Sequence, residues 1–193
     1  MISATEKNKF VYILNRENER VTVSSPLEAP KSHTVVFSTV GLDAGYDNAI
    51  FAALEVDYGD WQDKDSVVCN GQVTKFLTLY EMDFGLNTVK RRTSEPVDES
   101  AHQLIMVPFA PDGPGGVVVL CEDFLVYRGA KGVEQRVPYP KRLGAPGDRG
   151  VLINAVAFHR HKGKFFHLIQ TELGDLFELQ FHFTHEEVHN ITL

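Results

Sequence analysis

Two cysteines, one tryptophan and three methionines are all that the 193 residues hold of these types. Cys69 and Cys121 lie far apart and fit no metal or redox spacing, so each is expected to be a thiol in a reducing compartment. An excess of positive charge is also missing. The net charge of −7 argues against a protein that grips nucleic acid through its overall field. Two local basic stretches, Lys90–Arg92 and Pro140–Arg142, adjoin turns and read as solvated strand ends. No apolar run approaches the roughly 20 residues that a membrane-spanning helix needs. The opening MISATEKNKF has neither the apolar region of a secretory signal nor the arginine-rich amphipathy of a transit peptide. A soluble, intracellular chain is therefore expected, and the sequon at Asn190-Ile191-Thr192 reads as a chance match.

Helical patterning is scarce too. Long 3.6-period stretches with caps are missing, whereas Val, Ile, Phe, Tyr and Thr gather in short runs. With 43% hydrophobic and 23% charged residues, the composition is that of a globular chain able to build a full core.

The short runs recur in a fixed order. A first strand is read at 34–42 (TVVFSTVGL), 102–109 and 150–159, and a second at 49–57, 115–123 and 163–172. A third follows at 75–84, 123–130 and 174–183, and a more polar fourth at 87–96, 133–140 and 186–193. The link between second and third strands is short in TELGD and CEDF, but grows to a long polar insertion after Asp57. Four strands per unit, with the second and third units starting 48 residues apart (150 − 102), are the mark of β-propeller blades. Apolar inner strands such as VVFSTV and VVVL suit burial on both faces, and the charged fourth strand suits an exposed edge. A β-sandwich is the alternative, but it does not require the repeated apolar-to-polar order.

The expected class is all-β, with about three and a half blades of a presumed seven-bladed propeller. Residues 1–33 are read as the end of a preceding blade, carrying strands KFVYILNR and RVTVSSPLEA. Blades follow at 34–97 (with a long loop at 59–74), 98–142 and 150–193. Such a stretch cannot close a ring alone, so the chain reads as part of a larger protein.

Several groups invite a chemical reading. His159 and His161 lie two apart on a strand and point to one side, with His167, His182, His185 and His189 nearby in sequence. Zinc would suit such groups if they converged, but no cysteine or paired carboxylate completes a ligand spacing, and no metal site is expected. Asp43, Asp47, Glu55 and Asp57 surround the first hairpin of the first full blade, where two facing carboxylates could serve acid–base chemistry. Their composition is equally that of a turn. The glycine-rich segments PDGPGG and LGAPGDRG precede no helix and lack a Gly-Lys-Ser/Thr ending, so they read as turns rather than phosphate cradles. A channel enzyme would need convergent polar groups on the innermost strands, which offer few beyond His102 and Asn154. No catalytic or cofactor-binding residue is expected. Trp61 differs, since it sits in the polar insertion GDWQDKD and reads as a partner anchor.

The strings VYILNR, SSPLEA, LYEMDFGLN, SEP and QTELGDLFEL, in this order, resemble the first propeller of the splicing factor 3b subunit 3 family. That resemblance implies a non-enzymatic, nuclear scaffold of three seven-bladed propellers in the U2 small nuclear ribonucleoprotein. Its partners would be the other splicing factor 3b subunits, with U2 RNA and pre-mRNA met mainly through the assembled complex during branch-site recognition. It implies no cofactor, no membrane and no small-molecule substrate. Adaptors of cullin ubiquitin ligases and of mRNA 3′-end processing belong to the same wider family and are the alternatives.

Overall fold

The computed structural model describes residues 1–43, 48–59, 74–129, 132–142, 149–161 and 163–193. Every regular element among them is a strand. The chain forms two compact units, one of residues 1–41 with 46–99 and one of 42–45 with 100–193.

The first unit opens with β1 (Ile2–Ala4), β2 (Lys9–Val11), β3 (Leu14–Glu17), β4 (Arg20–Val23) and β5 (Leu27–Glu28). They form a three-stranded sheet, β1-β2-β5, and a separate two-stranded hairpin, β3-β4. The run KFVYILNR is thus two strands rather than one. The break has a local cause: Ile13 N–H donates to Ser24 Oγ at 2.9 Å while Ser24 N–H donates to the Ile13 carbonyl at 2.9 Å. Pro26 follows, with no N–H to continue the ladder. The unit then builds the sheet β6 (Thr34–Leu42), β7 (Ile50–Asp57), β8 (Lys75–Asp83) and β9 (Thr88–Val97), in sequential order.

The second unit holds two sheets of the same kind. One is β10 (Gln103–Met106), β11 (Val117–Leu120), β12 (Phe124–Arg128) and β13 (Glu134–Pro138). The other is β14 (Ile153–His161), β15 (Lys164–Thr171), β16 (Leu176–Thr184) and β17 (Glu187–Thr192). All registered pairs are antiparallel. Three four-stranded sheets in chain order are what the repeated pattern anticipates, and the all-β propeller class stands.

Burial follows the apolar-to-polar order from the second strand outward. Residues 51–56 of β7 and all of β11 are buried on both faces, whereas β9 is exposed except at Val89 and Val97. The first strand is where the expectation fails. VVFSTV alternates, with Val35 and Phe37 about half exposed among the described residues. Only one face of β6 packs, whereas β10, also a first strand with a single neighbour, buries Leu104 and Ile105.

Each unit has its own core. In the second, Val118, Leu120 and Leu125 of one sheet pack with Ile169, Leu179 and Phe181 of the other. Fully burying each such side chain contributes about 1.5–3 kcal/mol. In the first, Val11 and Ala29 pack with Phe51, Tyr80, Met82 and Val89. That core also holds charge.

Candidate interaction surfaces and buried polar groups

Lys9 is fully buried in the first unit, on β2. An isolated ammonium there would be prohibitive, and the structure surrounds it with a carboxylate and two oxygen acceptors. Lys9 Nζ lies 2.9 Å from Glu55 Oε2, donates to Thr34 Oγ1 at 2.5 Å and to the Lys31 carbonyl at 3.1 Å. Glu55 Oε1 accepts the Tyr80 hydroxyl at 2.8 Å. The Tyr80 ring lies beneath the same ammonium, 5.3 Å from its centroid, and stacks on Phe51. Burial, and then the charge of Glu55, hold the Tyr80 phenol far above its ordinary range. Glu55 Oε2 meets the ammonium as an ion pair without a hydrogen bond of its own, and the group ties β2 to the sheet of β7 and β8.

The second unit buries a different group. His167 on β15 is 2% exposed, and its Nε2–H donates to the Met106 carbonyl at 3.0 Å. Nδ1 is buried with no hydrogen-bond partner. Phe158 and Phe165 flank the ring at centroid distances of 5.0 and 5.9 Å. Burial pushes the imidazole down to about 4, so the ring is neutral at physiological pH. Tyr127, whose hydroxyl donates to the Gly115 carbonyl at 2.8 Å, is pushed up to about 12 by burial.

The other histidines do not converge on this one. His159 and His161 do share a side, with rings 6.4 Å apart, but His167 pairs across from Phe158 and turns to the opposite face. His182 Nε2 meets Thr192 Oγ1 and His189 Nε2 meets Thr184 Oγ1, both within the β16–β17 hairpin. Among the described residues, no three His, Cys, Asp or Glu side chains are placed to hold a metal.

The acidic residues also part company. Asp43 accepts the Phe109 N–H at 3.2 Å and, with Asp112, holds Arg160. Asp57 pairs with Lys31 and caps the Gly59 N–H, while Glu55 is the buried partner of Lys9. Asp47 and Trp61 lie outside the described residues, as do Cys69 and most of LGAPGDRG. Cys121 is a buried thiol. The glycines of PDGPGG meet the turn reading: Gly115 and Gly116 have φ of +75° and +100°, and a Cβ on Gly116 would meet the Arg128 carbonyl at 2.4 Å. His102 is tied to the Ile153 carbonyl at 2.9 Å, and Asn154 is exposed. Among the described residues no helix is long and apolar enough to cross a membrane.

Sequence reasoning missed Lys9 altogether. The only signal was that it opens an apolar strand at a position where alternation turns inward, together with Val11.

Short four-stranded antiparallel blades, joined by tight turns, define a β-propeller protein. The chain belongs to the RSE1/DDB1/CPSF1 first beta-propeller family, whose model matches residues 1–193. It is 47% identical over 180 residues to "Spliceosome-associated protein 130 A" of Arabidopsis thaliana, covering 93% of this chain and 15% of that protein. It is 47% identical over 182 residues to "Pre-mRNA-splicing factor rse1" of Emericella nidulans, with coverage of 93% and 15%. To "Splicing factor 3B subunit 3" of Danio rerio it is 41% identical over 197 residues, covering 100% of the chain and 16% of that protein. The chain thus spans about one-sixth of the length of the curated relatives it matches.

Proposed function

We propose that this chain is a non-enzymatic interaction scaffold of the splicing factor 3b complex in the U2 small nuclear ribonucleoprotein, acting in the nucleus during branch-site recognition. One observation carries the reading: 41–47% identity across 93–100% of the chain to proteins named as splicing factors. The polar groups are consistent with it, because the buried Lys9 and Glu55 pair with each other and His167 is neutral. Other subunits of that complex are the partners, and RNA is met through the assembly. Residues 1–33, 34–97, 98–142 and 150–193 are then about three and a half blades of a seven-bladed ring. Trp61, in the insertion after β7, anchors a partner.

The family model is shared with adaptors of other complexes, so a sister assembly is the second reading. Affinity purification of the intact protein from nuclear extract tests both. Retention of splicing factor 3b subunits with U2 RNA is expected, and Trp61→Ala should reduce it without lowering the melting temperature. Retention of cullin or polyadenylation components instead would move the protein to a sister complex. Retention of neither would overturn the scaffold reading.

A further inference from the structure

A groove of about 560 Å³ opens on the first unit between β5 with its flanks and the start of β9. Both strands are sheet edges, β5 pairing with β2 alone and β9 with β8 alone. Pro26, Leu27 and Pro30 form one apolar wall, with Asn87 and Thr88 opposite. The two prolines bring carbonyls but no N–H, so this wall has acceptors in excess of donors. Glu28 stands between them. It is exposed, and among the described residues no cation pairs with it. The nearby lysines are already committed, Lys31 to Asp57 and Lys90 to Asp83.

The β8–β9 turn beside the groove is built to stay in place. Asp83 accepts the Leu86 N–H through Oδ1 at 3.0 Å and the Lys90 ammonium through Oδ2 at 2.7 Å. Asn87 takes φ of +54°, a conformation it tolerates better than most residues. The pinned turn nevertheless holds two large apolar side chains outward, Phe84 at 48% and Leu86 at 67% exposure. Exposed apolar residues in the turn that leads into Asn87, with a concave, acceptor-rich wall and one unneutralised carboxylate, are the elements of a recognition site.

The geometry points to a docking groove for an extended segment of a partner protein, one carrying a lysine or arginine flanked by apolar side chains. The cation meets Glu28 and the proline-flanked carbonyls, and the apolar neighbours meet Leu27, Phe84 and Leu86. A basic segment is chosen by charge: the one group here without a counter-ion is a carboxylate, and a bidentate arginine satisfies it best. The inference rests on the scaffold reading for the existence of such a partner, but not for the groove's chemistry.

Fluorescence anisotropy with the intact chain tests it directly. The probe is a short capped peptide with a central arginine between valine and leucine, and the control has glutamate in place of the arginine. Wild-type protein should prefer the arginine peptide by about tenfold, and Glu28→Lys should reverse that preference. Leu86→Ser should weaken the arginine peptide severalfold. Both side chains are exposed, and unchanged thermal melting would confirm that the fold is intact. Equal binding of the two peptides, or indifference to Glu28→Lys, would overturn the proposal. So would self-association abolished by Leu86→Ser with no peptide bound, which would assign the surface to a second copy of the chain. Failure here alongside successful co-purification of splicing subunits would sink the groove and leave the scaffold reading standing.

Discussion

The two units use the same four-stranded sheet yet treat buried polarity in opposite ways. The first encloses a full ion pair, Lys9 with Glu55, and surrounds it with Tyr80, Thr34 and a backbone carbonyl. The second packs an apolar core and admits one imidazole, His167, which stays neutral with a nitrogen unpaired. A buried charge is tolerable only when its partners are all present, so the first unit is specified by a handful of polar contacts. A neutral ring needs fewer partners, but it is intolerant of protonation. Both devices are structural, which is the reason that function is sought on the surface.

The contrast is broken most severely at Lys9. Lys9→Met leaves Glu55 buried without its counter-ion and should cost about 3–5 kcal/mol of stability in urea unfolding. Replacing the whole group, with Glu55→Leu and Tyr80→Phe added, should restore most of the loss. If the triple variant is no more stable than the single one, the pair stabilises by more than mutual compensation. The matching probe in the second unit is Leu179→Ala, which opens a cavity at a fully buried site and should cost about 2–5 kcal/mol, with no rescue by any polar change.

A third experiment sharpens the comparison through pH. The folded pKa of His167, about 4, lies below the roughly 6.5 of an exposed histidine. Its contribution is therefore fully present above about pH 6.5 and is lost as pH falls toward 4, because only the unfolded chain takes up the proton readily. The full loss amounts to about 3 kcal/mol. His167→Gln keeps an N–H donor for the Met106 carbonyl and removes the titration. Its stability should fall less than that of the wild type between pH 7 and pH 4.5, and parallel curves would dismiss the idea.

Much of this fold was legible because strands advertise themselves locally. The second, third and fourth strands of each repeat lie where alternation and turn residues put them, as at β7, β11 and β16. Errors arose where pairing rather than pattern decides. The split of KFVYILNR depends on a serine eleven residues on, and the half-exposed Val35 and Phe37 depend on what covers the second face of β6, which its own pattern does not encode. Of the candidate sites, the histidine set failed because Phe158 and His167 sit opposite each other in register, while His159 belongs to the other face.

By itself the sequence determined the all-β class and the four-strand repeat, since hydrophobic alternation and turn chemistry are local properties of the chain, and its particular strings pointed to the family. Only the tertiary structure decided that Lys9 is buried, that His167 is neutral and that Glu28 lines one groove with Asn87 and Thr88. Each of these turns on residues far apart in sequence, and the energy of a charge is set by what surrounds it in space.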